Sequence, residues 1–405
     1  MSELVSAYLE RANRQLAEAL PAAAQIPGVR RRLDAAGLEA GELTDSAALA
    51  RLPVLGKDEL ISLQASEPPF GGLLAEGAEP PRIFQSPGPL YEPQRGGEDP
   101  WRWRGALEAA GFTAGDVVLN AFGYHLTPAG VMFELAARAL GATVIPAGIG
   151  NAELQAQACR DLGATAYIGL PSYLKALLEK AAEAGLDPAS WPLERAFVGA
   201  EPLPPSLRAW IEARGLAVRQ GYGTAETGNL GYECDEVAGL HLPEDALVEV
   251  CDSETGERLW DGRAGEVVVT LYEAEYPLLR FGTGDLSAID PEPCRCGIPT
   301  PRLRGVLGRV GEAVKVRGMF LHPRQATEAL AGVEGLERFR LVVERVEHRD
   351  VLRCELQVES GGDGAELQRL VAERIRAALR FNAEVVVVDQ LPADAEPLVD
   401  LRSWA

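Results

Sequence analysis

Between residues 115 and 223 the sequence alternates between short apolar runs and amphipathic segments, and no other feature restricts the fold as strongly. The runs are GDVVLNAF, ATVIPAG, ATAYIGL, RAFVGA and LAVRQGYG. The segments between them cover 128–140, 151–162, 172–184 and 205–214, with Pro128 at a first turn and Asn151 at a cap position. Strand-sized apolar runs alternating with helix-sized amphipathic ones predict a parallel, doubly wound α/β sheet.

The flanks follow other rhythms. Residues 2–20 predict an amphipathic helix capped by Ser2, and 52–63 a proline-led turn and helix. Residues 66–100 are rich in Pro, Gly and Glu and predict loop. Beyond Gly231 the runs ALVEVCD, GEVVVTLY and PLLRFGTGD predict hairpins in a small barrel-like or bent sheet. From Gly308 onward two alternating strands, a helix over 365–379 and a last strand, AEVVVVD, predict a separate α+β unit. With 405 residues, the chain is too long for one ordinary core, so the expected division is 1–308 and 309–405.

Charge and composition exclude whole classes of function. The net charge is −21, which repels nucleic acid phosphates and anionic lipid, so neither is an expected partner. No apolar run approaches the ~20 residues that span a bilayer. Acids interrupt the N-terminal segment, so it does not predict a signal peptide. Six cysteines are too few for a disulfide framework, which points to a reduced, cytoplasmic setting. Only four lysines occur: Lys57, Lys175, Lys180 and Lys315.

Four segments carry possible chemistry. In GYGTAETG (221–228), Gly221 closes a strand. Tyr222 offers a flat face to a base, Gly223 and Thr224 offer backbone to a phosphate, and Glu226 offers a carboxylate to Mg²⁺. The same residues also suit a plain glycine-rich turn. In YPLLRFGTGDL (276–286), Asp285 either accepts both hydroxyls of a ribose or caps a turn. In LGRVGEAVKVRG (307–318), Arg309 and Lys315 flank a glycine-bearing connection, either a hinge with phosphate contacts or a solvated basic strand. Finally, Cys294 and Cys296 form a C-x-C pair, with Cys234 and His241 upstream. Four N/S ligands in two close pairs suit a closed tetrahedral Zn²⁺ site, although the long gap between the pairs also fits unrelated residues of a reduced protein.

Taken together, GAEP (199–202), YGTAE, RFGTGD and GRVGEAVKVRG stand in the order and spacing of the adenylate-forming enzymes, and the sequence resembles their phenylacetate–CoA ligase branch. The likeness runs from about Leu52, in LPVLGKDEL, to the C-terminus. It includes FGYHLTPAG and CRCGIPTPRLRGVLGR, and pairs similar to the cysteine and histidine pairs occur in relatives. The resemblance implies a large N-terminal nucleotide- and acyl-binding domain and a small C-terminal lid domain. It implies an acyl-adenylate made from Mg-ATP and a small apolar or aromatic carboxylate, then transfer to CoA. Tyr222 would stack on adenine with Ala200, Glu201 and Pro202 lining the base. Glu226 would bind Mg²⁺, assisted by Thr224, and Lys315 would act in catalysis. Asp285 and Arg309 would hold the ribose. Tyr124, His125, Gly130 and Gly199 would line the acyl pocket. Relatives often form homodimers, though no segment here shows it.

Departures from the family pattern are equally specific. The Ser/Thr/Gly-rich phosphate loop should lie near 83–94, which reads IFQSPGPLYEPQ. Pro87, Pro89 and Pro93 have no N–H to offer a phosphate, so Ser86 and Gly88 are what remain of that chemistry. Ala225 stands where a hydroxyl residue precedes the Mg²⁺ glutamate. Gly311 replaces the usual hinge acid, with Glu312 following. No lysine follows Lys315, so the C-terminal catalytic lysine is absent, and Arg402 is the basic residue left in LPADAEPLVDLR. These losses keep open an alternative: a relative that binds AMP or acyl-CoA as a sensor or accessory protein, or that retains only acyl exchange between AMP and CoA.

Overall fold

The computed structural model describes residues 2–86, 89–310, 314–317, 319–321, 323–358, 364–379, 381–392 and 395–402. The chain divides into two compact units, Met1–Gly308 and Arg309–Ala405.

The first unit is built on one mixed sheet. Its parallel half runs Thr143–Pro146, Val117–Asn120, Ala166–Gly169, Arg195–Val198 and Ala217–Thr224, side by side in that order. These are the five strands expected from the alternation, and the helices Ala129–Ala139, Ala152–Asp161, Pro171–Glu183 and Pro205–Glu212 connect them. The second strand in the chain lies outside the first, and the third lies on the first strand's other side. The order therefore reverses between Val117–Asn120 and Ala166–Gly169, and such a switch point leaves a crevice at the carboxyl ends of the strands. Strands Ala166–Gly169 and Arg195–Val198 are buried almost throughout, as a sheet covered on both faces requires.

The strands beyond Ala217–Thr224 form the expected antiparallel hairpins, Ala246–Cys251 with Ala264–Leu271 and Ala264–Leu271 with Phe281–Asp290. They extend the parallel sheet and do not stand apart from it. Gly228–Tyr232 pairs back on Ala217–Thr224 and carries the same sheet onward through Leu240–His241, Arg302–Leu303, Phe281–Asp290, Ala264–Leu271 and Ala246–Cys251. The segment predicted as loop holds a hairpin, Ile83–Ser86 with Leu90–Pro93. Its prolines hid it, because Pro93 sits at a strand end where no ladder N–H is needed. Two helices, Pro27–Ala35 and Arg104–Ala109, were also unforeseen. Ser2 caps the helix Glu3–Ala23 as expected, its Oγ accepting from Val5 N at 3.3 Å.

In the second unit, Leu336–Val346 and Arg349–Val358 form a long antiparallel hairpin flanked by Ala383–Val387 and Leu398–Asp400, both parallel to their neighbours. Helix Gly364–Leu379 buries Leu367, Val371 and Ile375 in a core with Leu341, Val343, Cys354 and Leu356. The strand Leu398–Asp400 was not expected; three residues are too few to show a period.

Candidate active site

Strand Ala217–Thr224 delivers Tyr222 to a buried position on its carboxyl side. The Tyr222 hydroxyl donates to Asp285 Oδ2 at 2.9 Å and lies 3.2 Å from Thr283 Oγ1. Asp285 is held in turn by its own N–H, which donates to Thr283 Oγ1 at 3.1 Å. Two residues singled out 63 positions apart are therefore joined in one hydrogen-bonded unit.

The glycines around Tyr222 answer to packing. A Cβ at Gly221 or Gly223 would lie 2.7 Å from the Trp103 ring, and one at Gly223 also 2.1 Å from Gly228 O. Trp103 beneath the strand requires both. The Thr224 hydroxyl is occupied in the turn, 2.9 Å from Thr227 Oγ1, and accepts from Thr227 N at 3.3 Å.

Glu226 lies at the end of this turn with its side chain 3% exposed, and Lys57 Nζ stands 2.6 Å from its Oε1. Burial alone would raise the Glu226 carboxyl, but the Lys57 charge and hydrogen bond, with hydrogen bonds from its own backbone N–H and the Thr224 hydroxyl, together hold the group below the usual carboxylate range. Arg95 Nη2 donates to the Glu226 carbonyl at 2.8 Å, while its Nε pairs with Glu273 at 2.5 Å. Sequence reasoning assigned Lys57 no role. Its scarcity as one of four lysines, and its place in the family-like LPVLGKDEL, were the available signals. Lys57 opens helix Lys57–Ser66, and the residues before it are pinned to the strand carrying Asp285: Leu55 N donates to Arg280 O at 2.8 Å and Gly282 N to Leu55 O at 3.0 Å. The buried Arg280 guanidinium fastens the same segment through Ala50 O at 2.7 Å and Leu52 O at 2.6 Å.

The strand Arg195–Val198 ends at Gly199, where a Cβ would lie 3.0 Å from Gly221 O, and Ala200 follows in the left-handed region with φ +63°. The Glu201 carboxylate is turned to the start of helix Pro171–Glu183, accepting from Ser172 N at 2.7 Å, a favourable place for an anion. Pro202 beside it is half-buried. At the neighbouring strand end, Asn120 Nδ2 donates to Tyr124 OH at 2.9 Å and to Gly130 O at 2.7 Å. Burial, reinforced by Glu134, raises the Tyr124 hydroxyl above its usual range. A Cβ at Gly130 would lie 2.7 Å from the Tyr124 ring, so this glycine seats the tyrosine. His125 is exposed.

In the second unit, Arg309 is half-buried in a two-residue strand. Lys315 lies in Val314–Val316, opposite Phe320 of Met319–Leu321, and its side chain is outside the described residues. So are Pro87, Gly88, Gly311 and Glu312. Arg402, the basic residue left where the family's lysine falls, is engaged within the second unit. Its guanidinium is 3% exposed, binding Asp350 Oδ2 at 2.7 Å and Asp400 Oδ2 at 2.6 Å.

The cysteines and histidine singled out by spacing converge. The donor atoms of Cys234, His241, Cys294 and Cys296 all lie within 4.8 Å of one another. Cys234 Sγ and Cys294 Sγ are 3.7 Å apart, and Cys296 Sγ is 3.3 Å from His241 Nε2. Two thiolates ~2.3 Å from a tetrahedral zinc ion would be about 3.8 Å apart, so the spacing fits a metal and not a disulfide. His241 Nδ1 is 3.3 Å from Thr300 Oγ1, which leaves Nε2 to face the sulfurs. Burial, then the Arg302 charge, lowers the His241 imidazole to about 4, so it is neutral and ready to ligate at neutral pH. The other cysteines, Cys159, Cys251 and Cys354, are buried away from this cluster.

Comparison with known proteins gives the same direction. The model of the AMP-binding enzyme family matches residues 102–272. A phenylacetate–coenzyme A ligase of Thermus thermophilus is 33% identical over 350 residues, covering 83% of this chain and 77% of that protein. One from Aromatoleum evansii is 31% identical over 347 residues, covering 82% and 77%. A solved 2-hydroxyisobutyryl-CoA ligase, in complex with 2-HIB-AMP and CoA in the thioesterification state, has TM-score 0.87 at 24% identity. It covers 98% of this chain and 91% of that one.

Proposed function

Because the chain belongs to the phenylacetate–CoA ligase branch of the adenylate-forming enzymes, we propose that it joins a small apolar or aromatic carboxylic acid to CoA through an acyl-adenylate. A carboxylate oxygen attacks the α-phosphorus of ATP, and pyrophosphate leaves. The CoA sulfur then attacks the acyl carbon, and AMP leaves. Both half-reactions place negative charge near the α-phosphate, and a fixed cation there lowers the barrier.

The observation that carries this reading is the Lys57–Glu226 pair at 2.6 Å, beside the Tyr222–Asp285 unit. Lys57 supplies the ammonium that the C-terminus lacks and meets the substrate carboxylate and α-phosphate. Tyr222 and residues 200–202 receive the adenine, and Asp285 receives the ribose hydroxyls. Tyr124, His125 and Gly199 stand at the strand ends where the acyl group enters. Glu226 is suited to Mg²⁺, since it presents a buried carboxylate oxygen and hard cations take oxygen ligands. When bound, Mg²⁺ neutralises phosphate charge. With Lys57 in place, the accessory-protein alternative is not favoured. Among the described residues no helix is long and apolar enough to cross a membrane, and the substrates fit a cytoplasmic setting.

The decisive experiment is pyrophosphate release from Mg-ATP against a panel of aryl and alkyl acids, with and without CoA. Acid-dependent release is expected; its absence with every acid, in protein that binds AMP, refutes the ligase reading.

Cys234, His241, Cys294 and Cys296 hold one structural Zn²⁺, tying the Cys294–Cys296 turn to the sheet. Protein purified without chelators should contain about one zinc per chain. Cys294→Ser with Cys296→Ser should lose it and melt at lower temperature, because the ion's binding energy is folding energy. Elemental analysis that finds no zinc removes this assignment.

A further inference from the structure

The hairpin that replaces the phosphate loop has one buried face, and its composition is unusual. Phe84 pairs with Glu92 and Ser86 with Leu90. Paired residues, and residues two apart on one strand, project to the same side. Phe84, Ser86, Leu90 and Glu92 therefore share a face, and all four are buried. Glu92 is 2% exposed and Ser86 3%. Among the described residues, neither Ser86 Oγ nor Glu92 Oε1 has a hydrogen-bond partner. Two orphaned oxygens on one buried face are costly unless something binds them.

The surroundings of Glu92 show what that is. The charged groups close enough to act on it are Glu226, Arg95 and Lys57, and it acts in turn on the Tyr276 hydroxyl. Arg95 is paired with Glu273 and Lys57 with Glu226. Arg102 also pairs with Glu273, at 3.3 Å, so among the described residues Glu92 is the acid of this group with no ion pair. A divalent cation between Glu92 and Glu226 balances both carboxylates and frees the ammonium. It also suits the chemistry of Mg²⁺, which is held by one or two carboxylates and keeps several waters. Ser86 Oγ, on the same face, is placed to accept from one of those waters.

We propose that Glu92 is the second carboxylate of a divalent-cation site centred on Glu226, and that the cation displaces Lys57 from Glu226 when it loads. Lys57 acts as the resident counter-ion of the empty site and is handed to the substrate as the metal arrives. The idea rests on the proposed ligase site, yet it concerns metal binding by the protein alone, so the two can fail separately.

The first test is a Mn²⁺ titration of the full, substrate-free chain followed by electron paramagnetic resonance, with Mg²⁺ as competitor. Wild type should bind one Mn²⁺ that Mg²⁺ displaces. Glu92→Gln and Glu226→Gln should each weaken it by about 10–100-fold or more, while Glu92→Asp should retain part of the affinity. The second test needs no variant. Acetylation by acetic anhydride, mapped by peptide mass, should label Lys57 more strongly once Mn²⁺ is present, with Lys180 as the unchanged reference. Wild type that binds no Mn²⁺, Glu92→Gln that binds it as tightly as wild type, or Lys57 labelling unmoved by Mn²⁺ would each overturn the proposal. Loss of ligase activity in a panel of acids, with Mn²⁺ binding and labelling as described, would count against the reaction and leave the cation site standing.

Discussion

Lys57 and Arg402 are both cations pointed at carboxylates, and they are built for opposite uses. Lys57 pairs with Glu226 at 2.6 Å, and its side chain keeps 21% exposure. Arg402 meets two, Asp350 and Asp400, at 3% exposure, and Asp350 is also held by Arg345 at 2.8 Å. A single flexible ammonium on one carboxylate can exchange that partner for a substrate anion. A planar guanidinium forked between two fixed acids cannot leave without breaking both pairs. By position Arg402 is the basic residue left where the family's lysine falls, but a guanidinium and an ammonium are not interchangeable at a tight site. The exposure Lys57 keeps and the buried fork of Arg402 favour Lys57 as the proposed working cation.

The sharpest way to break this contrast is Lys57→Met. Removing a charge that stabilises the transition state costs ~10²–10³ in rate, so acid-dependent pyrophosphate release should fall by that factor. Circular dichroism should show the fold intact. A variant that adenylates as fast as wild type would return Lys57 to a structural role.

Arg402→Leu should do the reverse. Breaking a buried pair by removing one partner costs on the order of 3–5 kcal/mol, so the second unit should melt well below its wild-type temperature. Below that melting point the rate of pyrophosphate release should be unchanged. A rate lost in step with the charge would make Arg402 the working cation and dissolve the contrast.

The sequence's own record divides along physical lines. The parallel half of the large sheet was legible because each strand is a buried apolar run with a helix-length gap after it. Tyr222, Asp285 and Glu226 were legible as motif residues, and the four converging residues Cys234, His241, Cys294 and Cys296 as two close pairs. Lys57 was not, since its meaning depends on a contact with Glu226 across two distant segments pinned by Arg280. Glu92 was missed because prolines masked the hairpin, and the packing of Gly221 and Gly223 against Trp103 was not legible in the local motif. Local pattern reveals what a residue is next to in sequence; the pairing of buried charges is a property of the fold.

A smaller effect separates the two cations through pH. In wild type burial raises the folded-state Glu226 carboxyl, but the Lys57 charge and hydrogen bond, with hydrogen bonds from its own backbone N–H and the Thr224 hydroxyl, together hold it below its ordinary value. Its contribution to stability is therefore present above the unfolded value, about 4.3, and is lost as pH falls through the folded one. Lys57→Met leaves burial as the larger influence, which moves the folded carboxyl above the unfolded value. The sign then inverts: the contribution is complete below the unfolded value and is lost as pH rises through the folded one. Melting curves of the two proteins from about pH 4 to pH 8 should diverge upward, wild type gaining on the variant as pH rises. Asp350 keeps Arg345 at 2.8 Å when Arg402 is replaced, so that acid retains a cation. Parallel curves for wild type and Lys57→Met would mean that Lys57 does not govern Glu226, and the proposed role of Lys57 as the working cation would fall with it.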